Sequence, residues 1–411
     1  MGASWRKALG SSTLSFLVFI DLPVVILNMS VIQGEVSPGF EPVAEAFQQL
    51  FSELGELGAS TCVIHHGETV IDLWSGTRNK QETTPWQGDT RSNIFSASKA
   101  LVAISVLQLV DRGKLKLDQT VASVWPEFAS NGKASITVKE VLCHRSGINA
   151  FHPKIEDDAI YDWQRITTAI ANEEPWWEPG TEQGYSPMLY GWILGEVVCR
   201  VSGCASFDGY VQQFISGPLG LTCQFGLNEA QLDQVADVVP MKRIQASSGG
   251  SLVDVIRANP RGVTNRAFSN PSSLMVGTNK PAWRQAQIPA ANGQASARDL
   301  AHFYASLADR EDTRLLSAEH RDWLWQEQSS GMDNVLHNPL SFSLGFMRLL
   351  PKNIESQNYF CHPGAGGSLG YGDANEGFGF GFVSRVMGQA ILMDERAERL
   401  LESVYQCVRG E

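Results

Sequence analysis

Apolar residues along 38–54 recur at Phe40, Val43, Phe47, Leu50, Phe51 and Leu54, the spacing of one face of a helix. Two short apolar segments follow, 59–64 and 69–74, separated by His65, His66, Gly67 and Glu68. That pattern predicts a β-hairpin with both histidines in the turn. Over 95–113 the period lengthens again: Ala100, Leu101, Ile104, Leu107 and Val110 share a helical face, and Gly113 is placed to end it. A short helix is predicted over 136–144, capped by Thr137 and stopped at Arg145, Ser146 and Gly147. Ser186 reads as an N-cap and Pro187 as the first residue of an apolar helix continuing through 188–194. Residues 151–180 are aromatic and loop-rich, and 224–290, rich in Gly, Pro, Ser and Asn, predict an irregular excursion. Order returns with a helix over 297–307 capped by Ser296. Strand-like segments at 341–349 and 378–383 flank a Gly-rich stretch, 362–377. A last strand falls within 386–393, and a helix through Leu400, Leu401 and Val404 closes the chain.

Strands therefore lie near both ends, with a long helical and loop-rich section between. This order predicts an α+β fold: one antiparallel sheet built from both ends of the chain, flanked by the terminal helices, with a mostly helical inserted region. The expected division is a sheet region of 29–90 with 285–411 and a helical region of 91–284. A site is expected in the cleft between them.

Composition narrows the partners. With 411 residues, 43% hydrophobic, the chain can bury a large core. A net charge of −12 argues against nucleic acid and anionic membrane surfaces. The seven cysteines are scattered and contain no Cys-x-x-Cys, so reduced thiols are expected in place of a disulfide framework or zinc site. No His-Glu-x-x-His occurs, and neither metal nor cofactor is implied. Residues 1–28 stand apart. Arg6 and Lys7 precede an apolar run over 14–20 that Asp21 and Pro23 interrupt, too short to span a membrane. The order is that of a secretory signal without its small-residue cleavage site. The segment reads as a leader or anchor, or as sequence ahead of Met29 as the natural start; a structural element is a third reading. A start at Met29 places the protein in the cytoplasm, and a working leader exports or anchors it.

The candidate chemistry starts at Ser96 and Lys99. A serine hydroxyl is a poor nucleophile until a neighbour takes its proton, and a lysine neutralised by its surroundings can do so. Three apart at the start of a helix, the two can share a face. Ser-x-x-Lys occurs three times, at Ser4/Lys7, Ser96/Lys99 and Ser130/Lys133, but only Ser96/Lys99 opens a long apolar helix. Tyr185 stands just before another apolar helix, where a phenol can point into a cleft or simply pack. His144, at a helix end, reads mainly as a cap or packing residue. A rival lies at Gly366-Gly367-Ser368-Leu369-Gly370, which matches the Gly-x-Ser-x-Gly nucleophile elbow. That elbow needs an apolar helix after the serine and a histidine later in the chain. Here 371–377 reads as a turn, and His362, the last histidine, lies upstream. Ser368 is therefore expected in a loop.

Ser96-Ala97-Ser98-Lys99, Tyr185-Ser186-Pro187 and His362-Pro363-Gly364 resemble, in order and spacing, the three active-site elements of class C β-lactamases and penicillin-binding proteins. Leu142-Cys143-His144-Arg145-Ser146-Gly147, Ile288-Pro289-Ala290-Ala291-Asn292-Gly293 and the continuation Ala365-Gly366-Gly367 look most like the esterases on that fold, the family VIII carboxylesterases. The resemblance runs from about Met29 to the C-terminus. It implies Ser96 as nucleophile, Lys99 and Tyr185 as a shared base system, and the backbone N–H groups of Ser96 and Ala365 as oxyanion hole. His362 and Gly364 would border the substrate, and Trp176 and Trp177 (with Trp163) would line an acyl pocket or pack in the core. Two departures matter. His362 stands where a Lys-Thr-Gly cation would grip a carboxylate, and Pro187 stands where Tyr-x-Asn has its amide. Both losses favour small to medium neutral acyl esters over β-lactams, though weak β-lactam turnover stays compatible with them. A β-lactamase, D-amino-acid peptidase or acyltransferase on the same fold is the alternative, and a catalytically silent scaffold is the third reading.

Overall fold

The computed structural model describes residues 31–240, 256–257, 259–275, 277–388 and 390–410. The readings of 1–28 and of Met29 lie outside them.

Six strands form one antiparallel sheet: β1 (Gln33–Val36), β2 (Gly58–His65), β3 (Glu68–Gly76), β4 (Tyr359–Pro363), β5 (Leu369–Asp373) and β6 (Phe378–Ser384), in the order β1-β3-β2-β6-β5-β4. The predicted β2–β3 hairpin is present. His66 and Gly67 supply its turn, both in the left-handed region (φ +48° and +82°). The central β2–β6 pair joins the two ends of the chain, with Val63 opposite Phe380.

Helices α1 (Glu41–Ser52) and α5 (Glu395–Arg409) cover one face of the sheet through Val43, Phe47, Leu50, Leu400, Leu401 and Val404. The sequence Phe378-Gly379-Phe380-Gly381-Phe382 explains how both faces of β6 are filled. Its three phenylalanines join that first core, while its glycines admit helix α4 (Ala297–Ala308) on the other side. A Cβ on Gly381 would lie 2.1 Å from the carbonyl oxygen of Ala297, and one on Gly379 2.2 Å from the Ala305 nitrogen. Gly381→Ala is expected to destabilise the protein by about 1–3 kcal/mol, read from the denaturant midpoint, because helix backbone cannot move aside as a side-chain tip can.

The second core holds α2 (Lys99–Asp111), α3 (Leu189–Ser202) and α4 with the shorter helices. Helix α2 departs from the amphipathic pattern: every residue from Lys99 to Leu109 is buried, because the helix is enclosed on all sides. Other boundaries also shift. Helix α3 begins at Leu189, not at Pro187. The Pro187 carbonyl turns instead to Lys99, while Ser186 Oγ still accepts the Tyr190 N–H at 3.1 Å. A helix at Trp163–Ala171, capped by Asp162, occupies part of the stretch read as loop-rich. Two strands, β4 and β5, run through or into the Gly-rich 362–377 stretch, so Tyr371–Asp373 is strand and not turn. Cross-strand pairing overrides glycine's poor strand preference there. The 341–349 segment contributes strand only at its start, in Pro339–Phe342, paired with Ser329–Met332. The 386–393 segment contributes only Val386–Met387. The described part of 224–290 holds short helices at Val263–Ser269 and Pro281–Gln285. Among the described residues, no helix is long and apolar enough to cross a membrane.

Candidate active site

Ser96 sits in a 3₁₀ turn, Phe95–Ser98, that runs directly into α2. Phe95 has φ +48°, a conformation that costs a bulky residue about 1–3 kcal/mol and persists only where neighbours enforce it. The neighbours are explicit. The Ile94 N–H donates to the Gly293 carbonyl (2.9 Å), and the Gly293 N–H donates to Ser98 Oγ (3.0 Å). Ser368 Oγ donates to the Ile94 carbonyl (2.8 Å). The end of β4 presses on the same turn, since a Cβ on Gly364 would fall 2.2 Å from the Ile94 oxygen. Ser368 is thus a loop residue, as expected, whose hydroxyl props the Ser96 turn.

Lys99 is fully buried, and its Nζ lies 3.2 Å from Ser96 Oγ, 2.8 Å from the Pro187 carbonyl and 3.0 Å from the Ala290 carbonyl. Burial pushes its pKa well below that of an ordinary lysine. In its neutral form the amine can give its two N–H bonds to the two carbonyls and turn its lone pair to the Ser96 hydroxyl. The other described Ser-x-x-Lys pair is arranged differently: Lys133 Nζ donates to the carbonyls of Ser130 (2.7 Å), Ala171 (3.0 Å) and Glu173, not to a hydroxyl.

Tyr185 arrives from a distant part of the chain, 89 residues after Ser96. Lys99 Nζ lies 4.9 Å from its ring centroid. Burial raises the phenol's pKa, the Ser96 side chain lowers it as a hydrogen-bonding neighbour, and the Asp333 charge raises it again. The structure therefore brings Ser96, Lys99 and Tyr185 together.

His362 is buried beside them, its ring 6.3 Å from that of Tyr185. Its Nδ1 lies 3.0 Å from the Pro363 carbonyl and must be the donor. Nε2 is then an acceptor, and it is buried without a partner. Burial, with Lys99 close by, pushes the imidazole pKa down to about 3 despite the bond to Pro363, which acts in the opposite direction, so the ring is neutral at ordinary pH. Ala365 follows Gly364 in the loop after β4. The loop is tied down at Gly366, whose N–H donates to Ala390 O (2.9 Å) and whose carbonyl accepts from Arg396 Nη2 (2.5 Å). Arg396 is itself buried against Asp394 and Glu56. Neither Arg396 nor Asp333 figured in the sequence reading, because isolated acidic and basic residues carry no local signal.

The tryptophans lie behind the Tyr185 loop. Trp176 donates its indole N–H to the Ala150 carbonyl (2.9 Å) and stacks on His152, and the Trp177 ring packs against Gly184. A polar cavity of about 660 Å³ lined by Arg78, Arg91, Gln212 and Gln224 contains none of these residues. Among the described residues, no group of three or more His, Cys, Asp or Glu side chains converges to hold a metal ion.

The chain is similar to proteins of known type over most of its length. Esterase/beta-lactamase LipL of Mycobacterium tuberculosis is 28% identical over 389 residues, 92% of this chain and 87% of that protein. Esterase EstB of Burkholderia gladioli is 30% identical over 197 residues, 43% of this chain and 48% of its own. A crystal structure of a family VIII carboxylesterase superposes with a TM-score of 0.83 at 32% identity, covering 92% of this chain and all (100%) of that one. A penicillin-binding protein homologue from Caulobacter crescentus superposes with a TM-score of 0.82 at 33% identity, with coverage of 92% and 100%. The Beta-lactamase family model matches residues 44–404, which takes in every element of the site just described, and the chain belongs to that family.

Proposed function

We propose that this protein is a serine carboxylesterase that hydrolyses small to medium acyl esters through an acyl-enzyme on Ser96. The observation that carries this reading is the buried Lys99 amine, 3.2 Å from Ser96 Oγ and also bonded to the Pro187 and Ala290 carbonyls. The amine lone pair, directly or through the Tyr185 phenol, takes the Ser96 proton as Oγ bonds to the ester carbonyl carbon. The carbonyl electron pair moves onto oxygen, where the N–H groups of Ser96 and Ala365 stabilise it. Collapse of that intermediate breaks the C–O bond, and the alcohol leaves with the proton returned by the base system. Water then repeats the sequence on the acyl-enzyme and frees Ser96.

His362 supports the choice of neutral esters. A cation at this position would attract a substrate carboxylate, whereas a neutral imidazole with a free acceptor nitrogen repels its lone pairs. EstB and the family VIII carboxylesterase carry esterase names, which agrees with this choice, while the name of LipL covers both esterase and β-lactamase activity.

Side-by-side assays of p-nitrophenyl butyrate and a chromogenic cephalosporin test the reading, with the ester expected to win. His362→Lys is expected to shift the ratio towards the cephalosporin. A fluorophosphonate should label Ser96, as mapped by mass spectrometry. A faster cephalosporin reaction would favour the β-lactamase alternative, and no turnover of either, with Ser96 unlabelled, would favour a silent scaffold.

A further inference from the structure

The segment Leu142–Gly147 resembles a family motif, yet the chemistry above gives His144 nothing to do. Its surroundings do. His144 is buried, with φ +56°, and its ring lies 4.8 Å from those of Tyr185 and Tyr190 and 4.7 Å from that of Phe342. Its own carbonyl accepts the N–H of Gly184 at 3.0 Å. Its Nδ1 accepts the N–H of Ser186 at 3.0 Å, which places the ring proton on Nε2. The amide between these two, that of Tyr185, donates to Asp333 Oδ2 at 2.7 Å. Three successive backbone N–H groups, centred on Tyr185, are thus each held by an acceptor from elsewhere in the chain. The next carbonyl, Pro187 O, is held by Lys99.

Asp333 is shaped for this task. It is fully buried, and its other oxygen accepts the N–H groups of Val335 (2.9 Å) and Leu336 (2.8 Å). Burial raises its pKa, and the three amide donors act against that by favouring the charged carboxylate. Each of these three bonds comes from a backbone N–H, and among the described residues no salt bridge reaches Asp333. His144 bears on the same loop from the opposite element, with a left-handed backbone that an ordinary side chain resists.

We infer that Asp333 and His144 are positioning residues that clamp the Gly184–Tyr185–Ser186 backbone and so aim the Tyr185 phenol at Ser96. This rests on the reading of Tyr185 as part of the base system. Neither residue touches the reacting atoms. A displacement of the phenol by about 1 Å is enough to cost roughly 100-fold in rate.

The test uses the full-length enzyme and p-nitrophenyl butyrate, with kcat and KM separated. In Asp333→Asn the amide oxygen stays with Val335 and Leu336, so the NH₂ group meets the Tyr185 N–H donor to donor. Its kcat is expected to fall about 10- to 100-fold while KM changes by less than about two-fold. The His144 pair supplies a second arm should Asp333→Asn fail to fold. His144→Leu removes both the acceptor and the tolerance for positive φ, and kcat should fall comparably. His144→Asn keeps a side-chain acceptor and tolerates the left-handed backbone, and should recover most of that loss. Equal kcat in His144→Asn and His144→Leu, or unchanged kcat in Asp333→Asn, would overturn the clamp. Tyr185→Phe separates the two levels: if it retains full activity, the base reading fails, whereas an inactive Tyr185→Phe beside fully active clamp variants sinks only the positioning role.

Discussion

Ser96→Ala is expected to lower ester turnover by about 10⁴-fold or more, with little change in folding. The hydroxyl faces Lys99 Nζ at 3.2 Å, and its removal leaves the amine's two bonds to carbonyls intact. On the proposed mechanism this hydroxyl is the group that carries the acyl chain. Ser368→Ala is the matched control. That hydroxyl donates to the Ile94 carbonyl, so its loss should cost about 1 kcal/mol of stability and at most several-fold in rate, through a looser Ser96 turn. Rate constants for p-nitrophenyl butyrate and a thermal melt of each variant check both halves. An inactive Ser368→Ala beside an active Ser96→Ala would transfer the nucleophile to the Gly-x-Ser-x-Gly segment.

Lys99→Met is expected to cost about 10³- to 10⁴-fold in kcat, near the upper range for losing a general base. Methionine keeps much of the volume and removes the lone pair. Two stability effects oppose each other. The variant no longer buries an ionisable amine, but it leaves the Pro187 and Ala290 carbonyls without their donor. Loss of activity is therefore not loss of fold, which circular dichroism can verify.

The pH dependence follows from the same group. Burial lowers the folded pKa of Lys99 beneath its unfolded value of about 10.4. Between those two values the unfolded chain holds the proton that the folded chain has released, so this group's contribution to stability rises with pH. Below the folded pKa the amine is charged in both states and the burial penalty is fully present. Activity runs the same way, because an ammonium cannot accept the Ser96 proton. Wild-type kcat/KM should therefore fall on the acid side with one dominant ionisation, and the residual activity of Lys99→Met should lack that limb. His362, pushed down to about 3, stays neutral throughout such a profile. An unchanged acid limb in Lys99→Met would remove the amine from the proton route.

Local physics carried much of the architecture. The turn at His66 and Gly67, the Ser296 cap and the apolar faces of α1 and α5 each depend on residues close together in the chain, so each could be read directly. The same holds for Ser96 and Lys99, one helical turn apart. The Gly-rich strands were hidden because glycine carries no strand preference of its own. The stretch Leu369–Asp373 becomes a strand only when β4 and β6 pair with it, and the missing side chain of Gly370 counts only once Tyr304 of α4 lies against the sheet.

By itself, then, the sequence determined the α+β class, the pairing of Ser96 with Lys99, the candidacy of Tyr185 and the absence of a lysine in the third motif. Only the tertiary structure decided that Lys99 is enclosed, that its two N–H bonds are spoken for by Pro187 and Ala290, and that Asp333 and His144 hold the amides around Tyr185. The physical reason is separation. Burial, and hydrogen bonds spanning 42 to 191 residues, depend on how distant segments pack, which no local pattern of hydrophobic and polar residues encodes.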